Sequence, residues 1–441
     1  MSEIGRNYRP APGWLFLVAA FSAVTVVALG VLLLPAPWNY AGSLAVAGGT
    51  VAFLIPLRHL IFIWGALLPI WSVATLDPII FDALRFSIAA VVLVRSARLP
   101  RNLWTRPAAR IAVTLAIVGV LVAVIGYSRP EQTAINTGIS MIIGSIVSWI
   151  ILTRLDNPWT LFNGYLLGTA ASAAVLIAAA AGYQTITPLA FAGYSRLSGL
   201  SPSATLVTYQ MALGVVIALA GMARRKNRLS YALVGLASLL ALLLSGGRGG
   251  VVALLLVGIL AVRWRWVRIG PAILAAAAVA ALLAYASSRG LVLNTLLRLN
   301  AETGEADPRA TLLRGGLAAI QENPWIGVGF EAFRSAYRAV PHFALVTFFV
   351  IGGVACGIPI VWAFLVLLRR IMLVDPKPFG AEGQAGHMII AVLIATIFLE
   401  PSGPFVGSAF QTLLLLGLSL TELRRTRDEP AHEAVLLSDA R

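Results

Sequence analysis

Long apolar runs alternate with short polar bursts along nearly the whole chain. They lie near 13–34, 41–57, 60–76, 79–94, 111–127, 134–152, 161–182 and 203–222, and again near 230–245, 250–262, 270–286, 343–368, 387–400 and 404–421. A helix rising about 1.5 Å per residue needs roughly 18 or more apolar residues to cross about 30 Å of hydrocarbon. Most of these runs therefore predict spanning helices, although 250–262 and 387–400 are short for a full crossing. The pattern predicts an all-α polytopic integral membrane protein with about 12 to 14 transmembrane helices and one long helical periplasmic loop. The first run follows Arg6 and Arg9 and is too long for a signal-peptide core, so it is expected to remain as a helix.

Composition agrees. Only 12% of residues are charged, about half the share of a soluble domain. The positive charge is gathered into short connections. Arg95, Arg98, Arg101, Arg106 and Arg110 fill one, and Arg224, Arg225, Lys226 and Arg228 another. Arg263, Arg265 and Arg268 fill a third, Arg369 and Arg370 a fourth, and Arg424, Arg425 and Arg427 follow the last run. Short loops rich in Lys and Arg stay cytoplasmic, and these fall on one side if both termini are cytoplasmic. The net charge of +15 is thereby read as a topology signal beside anionic lipid, not as a nucleic-acid surface. The single cysteine, Cys356, sits in an apolar run and excludes an internal disulfide. No Cys/His spacing resembles a metal site.

On the opposite side two connections stand out. One, near 183–202, carries Arg196 within Tyr194-Ser195-Arg196-Leu197-Ser198-Gly199. The other runs from about Ser287 to Pro341, far beyond the usual length of a helix–helix connection. Its apolar content, including Leu312, Leu317, Trp325, Phe330 and Phe333, predicts folding against the outer mouth of the bundle. Asp307-Pro308-Arg309 reads as a helix start with Asp307 as N-cap, and Asn323-Pro324 as its end. Leu313, Leu317 and Ile320 recur at helical spacing as the expected buried stripe, which Arg309 prolongs. An inward arginine in a first turn, where positive charge opposes the helix dipole, suits an anionic ligand; snorkelling, or pairing with Glu302 or Glu305, remains the alternative.

Arg248 lies in Ser245-Gly246-Gly247-Arg248-Gly249-Gly250, between two apolar runs. Glycines there allow either close approach to an anion or tight helix packing around an interfacial arginine. His342 follows Pro341 where the long loop re-enters the membrane. Among His59, His342, His387 and His432 it is best placed beside these arginines. A neutral imidazole there suits proton removal from a hydroxyl, while a plain polar end-group is the other reading.

Taken in order, four patterns resemble the bacterial superfamily of O-antigen ligases and O-antigen or exopolysaccharide polymerases, membrane glycosyltransferases that use lipid-linked oligosaccharides. They are the Tyr194–Gly199 segment, Ser245-Gly246-Gly247-Arg248-Gly249, Arg309 ahead of Pro324-Trp325-Ile326-Gly327-Val328-Gly329-Phe330, and His342. The resemblance spans about 190–360; the first 180 residues match only as hydrophobic helices. It implies an undecaprenyl-diphosphate-linked oligosaccharide donor and, as acceptor, the lipid A core or a growing glycan. It also implies transfer with inversion at the periplasmic face of the inner membrane, with no cofactor and no metal. His342, Arg309 and Arg196 would be catalytic, with Arg196, Arg309 and Arg248 holding the donor diphosphate. Domain boundaries are expected at 1–182 and 183–286 (transmembrane helices, the second set with the arginine loop), 287–342 (the catalytic loop) and 343–441 (C-terminal helices and tail).

The chain departs from the family pattern in places. The family usually has an asparagine after the histidine, where Phe343 stands, and a glutamate about nine residues on, where Ile351 stands. Ser201-Pro202-Ser203 replaces an asparagine-bearing continuation of the first loop. The late single long loop favours a ligase over a polymerase. A transporter would explain the helix number, but no internal repeat is visible, and Asp77, Asp82 and Glu400 lie near segment ends. A shape-and-division type peptidoglycan polymerase would place an essential aspartate in the outer loop, whereas Asp307 reads better as a helix cap.

Overall fold

The computed structural model describes residues 47, 49–70, 78–96, 106–155, 157–180, 189–191, 194–197, 199–201, 204–224, 227–264, 308–374, 380–400, 403–406 and 408–421. The first apolar run, the run near 270–286, the Asp307 cap and the 287–307 part of the long loop lie outside them. In chain order the helices are α1 (Leu57–Leu67), α2 (Pro78–Ser96), α3 (Arg106–Ser128), α4 (Gln132–Thr153), α5 (Pro158–Ala180), α6 (Ala204–Ala223), α7 (Arg228–Leu244) and α8 (Arg248–Arg263). Then come α9 (Pro308–Glu322), α10 (Phe330–Tyr337), α11 (Ala344–Leu373), α12 (Gly380–Leu399) and α13 (Ser408–Leu420). Between α5 and α6 sits an antiparallel hairpin, β1 (Leu189–Phe191) and β2 (Tyr194–Arg196). Among the described residues six helices, α3, α4, α5, α6, α11 and α12, are long and apolar enough to cross a membrane; α1, α7 and α13 are shorter apolar helices. The chain is a multi-pass, essentially all-α membrane protein.

The outward faces explain why such helices need lipid. On α3, Ile111, Leu115, Val118 and Val122 are buried, while Val113, Ile117, Val120 and Val124 form an exposed stripe. Lipid tails solvate that stripe at no cost, so contact between helices must come from close packing. Small residues supply it. Gly164 and Gly168, one turn apart on α5, lie against Phe62 and Ala66 of α1 with no room for a Cβ atom, and Gly119 of α3 meets Gly138 of α4 in the same way. Several buried polar groups are tied to one another or to backbone. The Ser148 and Thr412 hydroxyls are 2.9 Å apart, and Arg85 donates to the Leu67 carbonyl at 2.7 Å, capping the end of α1.

The long loop folds against the bundle as expected, at least from Pro308 onward. Leu312, Ala319 and Phe333 form a satellite core with Val346 and Val350 of α11. The predicted start and end of α9 agree with Pro308–Glu322. Of the predicted stripe only Ile320 packs on this core. Leu313 and Leu317 are 38% and 50% exposed, and the buried face is Leu312, Gly315, Gly316 and Ala319. The reason is steric: Gly315 sits on the Tyr337 ring and Gly316 on Val346 and Pro341. The helix packs through Leu312 and its smallest residues, and Leu313 and Leu317 turn outward. Arg309 stays in register with this face, three residues before Leu312 and seven before Gly316, but its side chain is exposed.

Candidate active site

Both ends of the loop's final part are anchored to membrane helices. α11 is broken at Gly352 and Gly353, where φ/ψ leave the helical region (Gly353 φ 58°, ψ −151°). The Pro324–Phe330 segment fills the break: Val328 and Gly329 donate to the Val350 carbonyl at 2.9 and 3.1 Å, and Val354 donates to the Pro324 carbonyl at 2.8 Å. Gly327 has φ +65° and abuts the Val350 carbonyl, so a side chain fits neither its backbone nor its space.

From the other side the α3–α4 turn holds the same segment. Arg129 donates to the Gly327 carbonyl at 2.9 Å. Glu131, 5% exposed and the residue before α4, accepts the N–H of Phe330, the first residue of α10, at 2.8 Å. Glu331 of α10 accepts the Thr133 N–H and hydroxyl, both at 3.1 Å, in the first turn of α4. The two helices thus exchange caps: each N-terminus, with its unpaired donors and partial positive charge, takes a carboxylate from the other. Arg129, Glu131, Thr133 and Glu331 carried no motif in the sequence, since the partners are 198 or 199 residues apart.

This clamp delivers the chain to Pro341 and His342. The Thr347 hydroxyl of α11 donates to the Pro341 carbonyl at 2.8 Å, and Phe343 stacks on Phe398 of α12 with ring centroids 5.3 Å apart. Where the family pattern has asparagine and glutamate, this chain packs Phe343 and the 2%-exposed Ile351. His342 is half-buried, and its Nδ1 is shut off from solvent with no hydrogen-bond partner among the described residues. Burial holds its pKa below the ordinary imidazole value, and the nearby positive charge of Arg309 lowers it further. The ring is therefore neutral near pH 7, with a nitrogen lone pair available.

The glycine-rich turn stands at the same end. α7 stops at Leu244 and α8 begins at Arg248. Gly247 and Gly250 close on Thr208 of α6, and Gly249 closes on the Tyr209 hydroxyl. The glycines serve tight packing, and they leave Arg248 exposed at the head of α8. Tyr209 joins this turn to the loop, because Arg309 and Glu400 both act electrostatically on its hydroxyl. Arg309, His342, Tyr209, Glu400 and the Arg248 turn thus form one neighbourhood. Tyr209 and Glu400 adjoin the candidate residues without being marked by any motif in the sequence. Arg196 ends β2, opposite Leu189 in the hairpin register. Just after it, Gly199 (φ +58°) packs on Ser172 of α5, whose hydroxyl accepts the Leu200 N–H at 3.2 Å. Among the described residues no group of three His, Cys, Asp or Glu side chains is arranged to hold a metal ion.

Residues 233–349 match the family model for O-antigen ligase. The match takes in the Arg248 turn, Arg309, the Pro324–Phe330 segment and His342, and leaves Arg196, Tyr209 and Glu400 outside it. None of the curated proteins matches the chain. The clamp, the neutral histidine beside an arginine and the glycine turn all fall within or against the matched stretch: this chain is a multi-pass membrane enzyme carrying an O-antigen ligase family domain at residues 233–349.

Proposed function

We propose that the chain transfers an undecaprenyl-diphosphate-linked oligosaccharide to a hydroxyl of the lipid A core at the periplasmic face, with inversion and without metal. His342 takes the proton of the acceptor hydroxyl as its oxygen attacks the anomeric carbon. The bond from that carbon to the diphosphate breaks, and undecaprenyl diphosphate leaves with the electron pair. Arg196 and Arg309 hold the growing negative charge, and Arg248 contributes at the head of α8. A guanidinium suits this work because its charge is permanent and its donors form a fixed fork. One observation carries the reading: a desolvated imidazole kept neutral beside a guanidinium, so that a base and an anion holder adjoin. A repeat-unit polymerase would use the same chemistry on a lipid-linked acceptor.

The test is glycan transfer by purified protein with lipid-linked donor, per amount of correctly inserted chain. His342→Ala should lose about 10²–10⁴-fold, the usual worth of a general base. Arg309→Lys should not restore full rate, since a point charge lacks the planar fork. Arg334→Ala, exposed on α10, should stay near the parent. Near-parental transfer by His342→Ala would make the histidine an end-group and end this mechanism. In the same assay excess chelator should leave the rate unchanged; a loss restored by magnesium would show that the arginines are not the principal charge stabilisers.

A further inference from the structure

At the end of the bundle away from His342, the first turn of α3 and the last turns of α11 enclose a cavity of about 370 Å³. Pro107, Arg110, Trp362, Val366, Arg369, Arg370, Leu373 and Val374 line it. Arg263, at the end of α8, reaches the same place and donates to the Met372 carbonyl at 3.3 Å. Among the described lining residues none is acidic. Next along the chain, Asp375 and Lys377 cancel in formal charge.

The lining is also graded. Trp362, Val366 and Arg369–Arg370 follow one another along α11, so the tryptophan is attached about 10–12 Å further along the helix from its end than the two arginines, at 1.5 Å per residue. Trp362 is 39% exposed and Leu373 72% exposed. The cavity is thus cationic at its mouth and apolar beneath, at the terminal turns of two membrane-crossing helices. A soluble anion would satisfy only the arginines. A phospholipid satisfies both parts, its phosphate at the mouth and its first acyl carbons along Val366 and Trp362. A volume of this size takes a headgroup and leaves the chains in the bilayer.

We propose that this cavity is a binding site for an anionic phospholipid headgroup of the leaflet facing Arg110, Arg369 and Arg370, with a two-phosphate lipid such as cardiolipin favoured. The site is remote from the transfer chemistry and does not depend on the function proposed above. Basic pockets between membrane helices are suited to such headgroups, each arginine near the surface contributing favourably.

The test uses the full chain, purified in a mild detergent and titrated with cardiolipin, phosphatidylglycerol, phosphatidylethanolamine or inorganic phosphate. Native mass spectrometry reads lipid retained, and thermal unfolding reads stabilisation. Cardiolipin should be retained best and raise the unfolding temperature, phosphatidylglycerol should do so less, and phosphatidylethanolamine and phosphate should do nothing. Arg110→Gln with Arg369→Gln should weaken cardiolipin retention about thirty-fold, taking roughly fivefold per surface arginine. Arg58→Gln with Arg228→Gln, which removes the same charge from exposed arginines elsewhere, should retain cardiolipin like the parent. Trp362→Leu, which keeps every charge, should weaken retention of the lipid and provides a variant with little risk to folding. Equal weakening by both arginine pairs would reduce the site to general surface charge, and stabilisation by phosphate alone would make it an anion site without a lipid. Either result overturns the proposal.

Discussion

At the scale of single residues, the neutral histidine makes a signed prediction. A base must be deprotonated to act, and His342 is held below the ordinary imidazole pKa of about 6.5 by burial first and Arg309 second. Its acid limb should therefore lie below that value: transfer stays flat as pH falls through the ordinary range and drops only at the lowered pKa. Replacing Arg309 with Gln removes the like charge and should move the limb upward, while burial keeps it from returning the whole way. Transfer measured against pH for parent and variant checks this, alongside the loss of rate. A limb that stays in place would mean that Arg309 is too well solvated to act on the ring. The sequence pointed to His342, Arg309 and Arg248 because proline, glycine and local spacing mark loop and helix ends. It could not point to Tyr209 or Glu400, which lie within or at the end of apolar runs and reach the site only once α6 and α12 pack beside the loop.

Among the elements, the break in α11 is the most exposed to substitution. Gly353 takes a backbone conformation that only glycine adopts readily, and a methyl group there would run into the Trp325 carbonyl. Gly353→Ala should cost about 1–3 kcal/mol from the backbone, with overpacking in addition. Glu131→Ala leaves the Phe330 N–H without its acceptor, which costs about 1–3 kcal/mol when the group is buried. Both should open the Pro324–Glu331 segment to protease before the bundle unfolds, seen as cleavage at native temperature with α3, α4 and α11 intact. Uniform protection would show that the segment is held by packing alone. Helix positions were legible in the apolar runs, since period and length decide them. Which face of α9 packs was not, because hydrophobicity favours Leu313 and Leu317 while closeness of approach favours Gly315 and Gly316. In a loop lying on a membrane bundle, exposed leucines cost little, and the small residues win.

For the molecule as a whole, the two ends of the bundle carry different chemistry. Arg110, Arg263, Arg369 and Arg370 gather at one, while Arg129, Arg309, His342 and the Arg248 turn belong to the other. The positive-inside expectation assigns the first end to the cytoplasm. Reporter fusions after Arg101 and Arg225 should read cytoplasmic, and fusions near Thr303 periplasmic; a cytoplasmic signal at Thr303 would put the lipid-linked glycan on the wrong side of the membrane for this site. The full set of 12 to 14 spans rests on the same experiment, since six helices meet the length and hydropathy for crossing among the described residues. The exchange of caps between α4 and α10 reaches further than holding a loop still. α3 and α4 enter it from one side, and α11 holds the adjoining Pro324–Gly329 segment from the other, so a change in their relative tilt would displace the stretch that leads to His342. Helices answer a thinner or thicker membrane by tilting. If His342 is the base proposed above, its support on two helical walls should make transfer sensitive to hydrophobic mismatch, so that the thickness of the surrounding bilayer becomes one of the conditions of its chemistry.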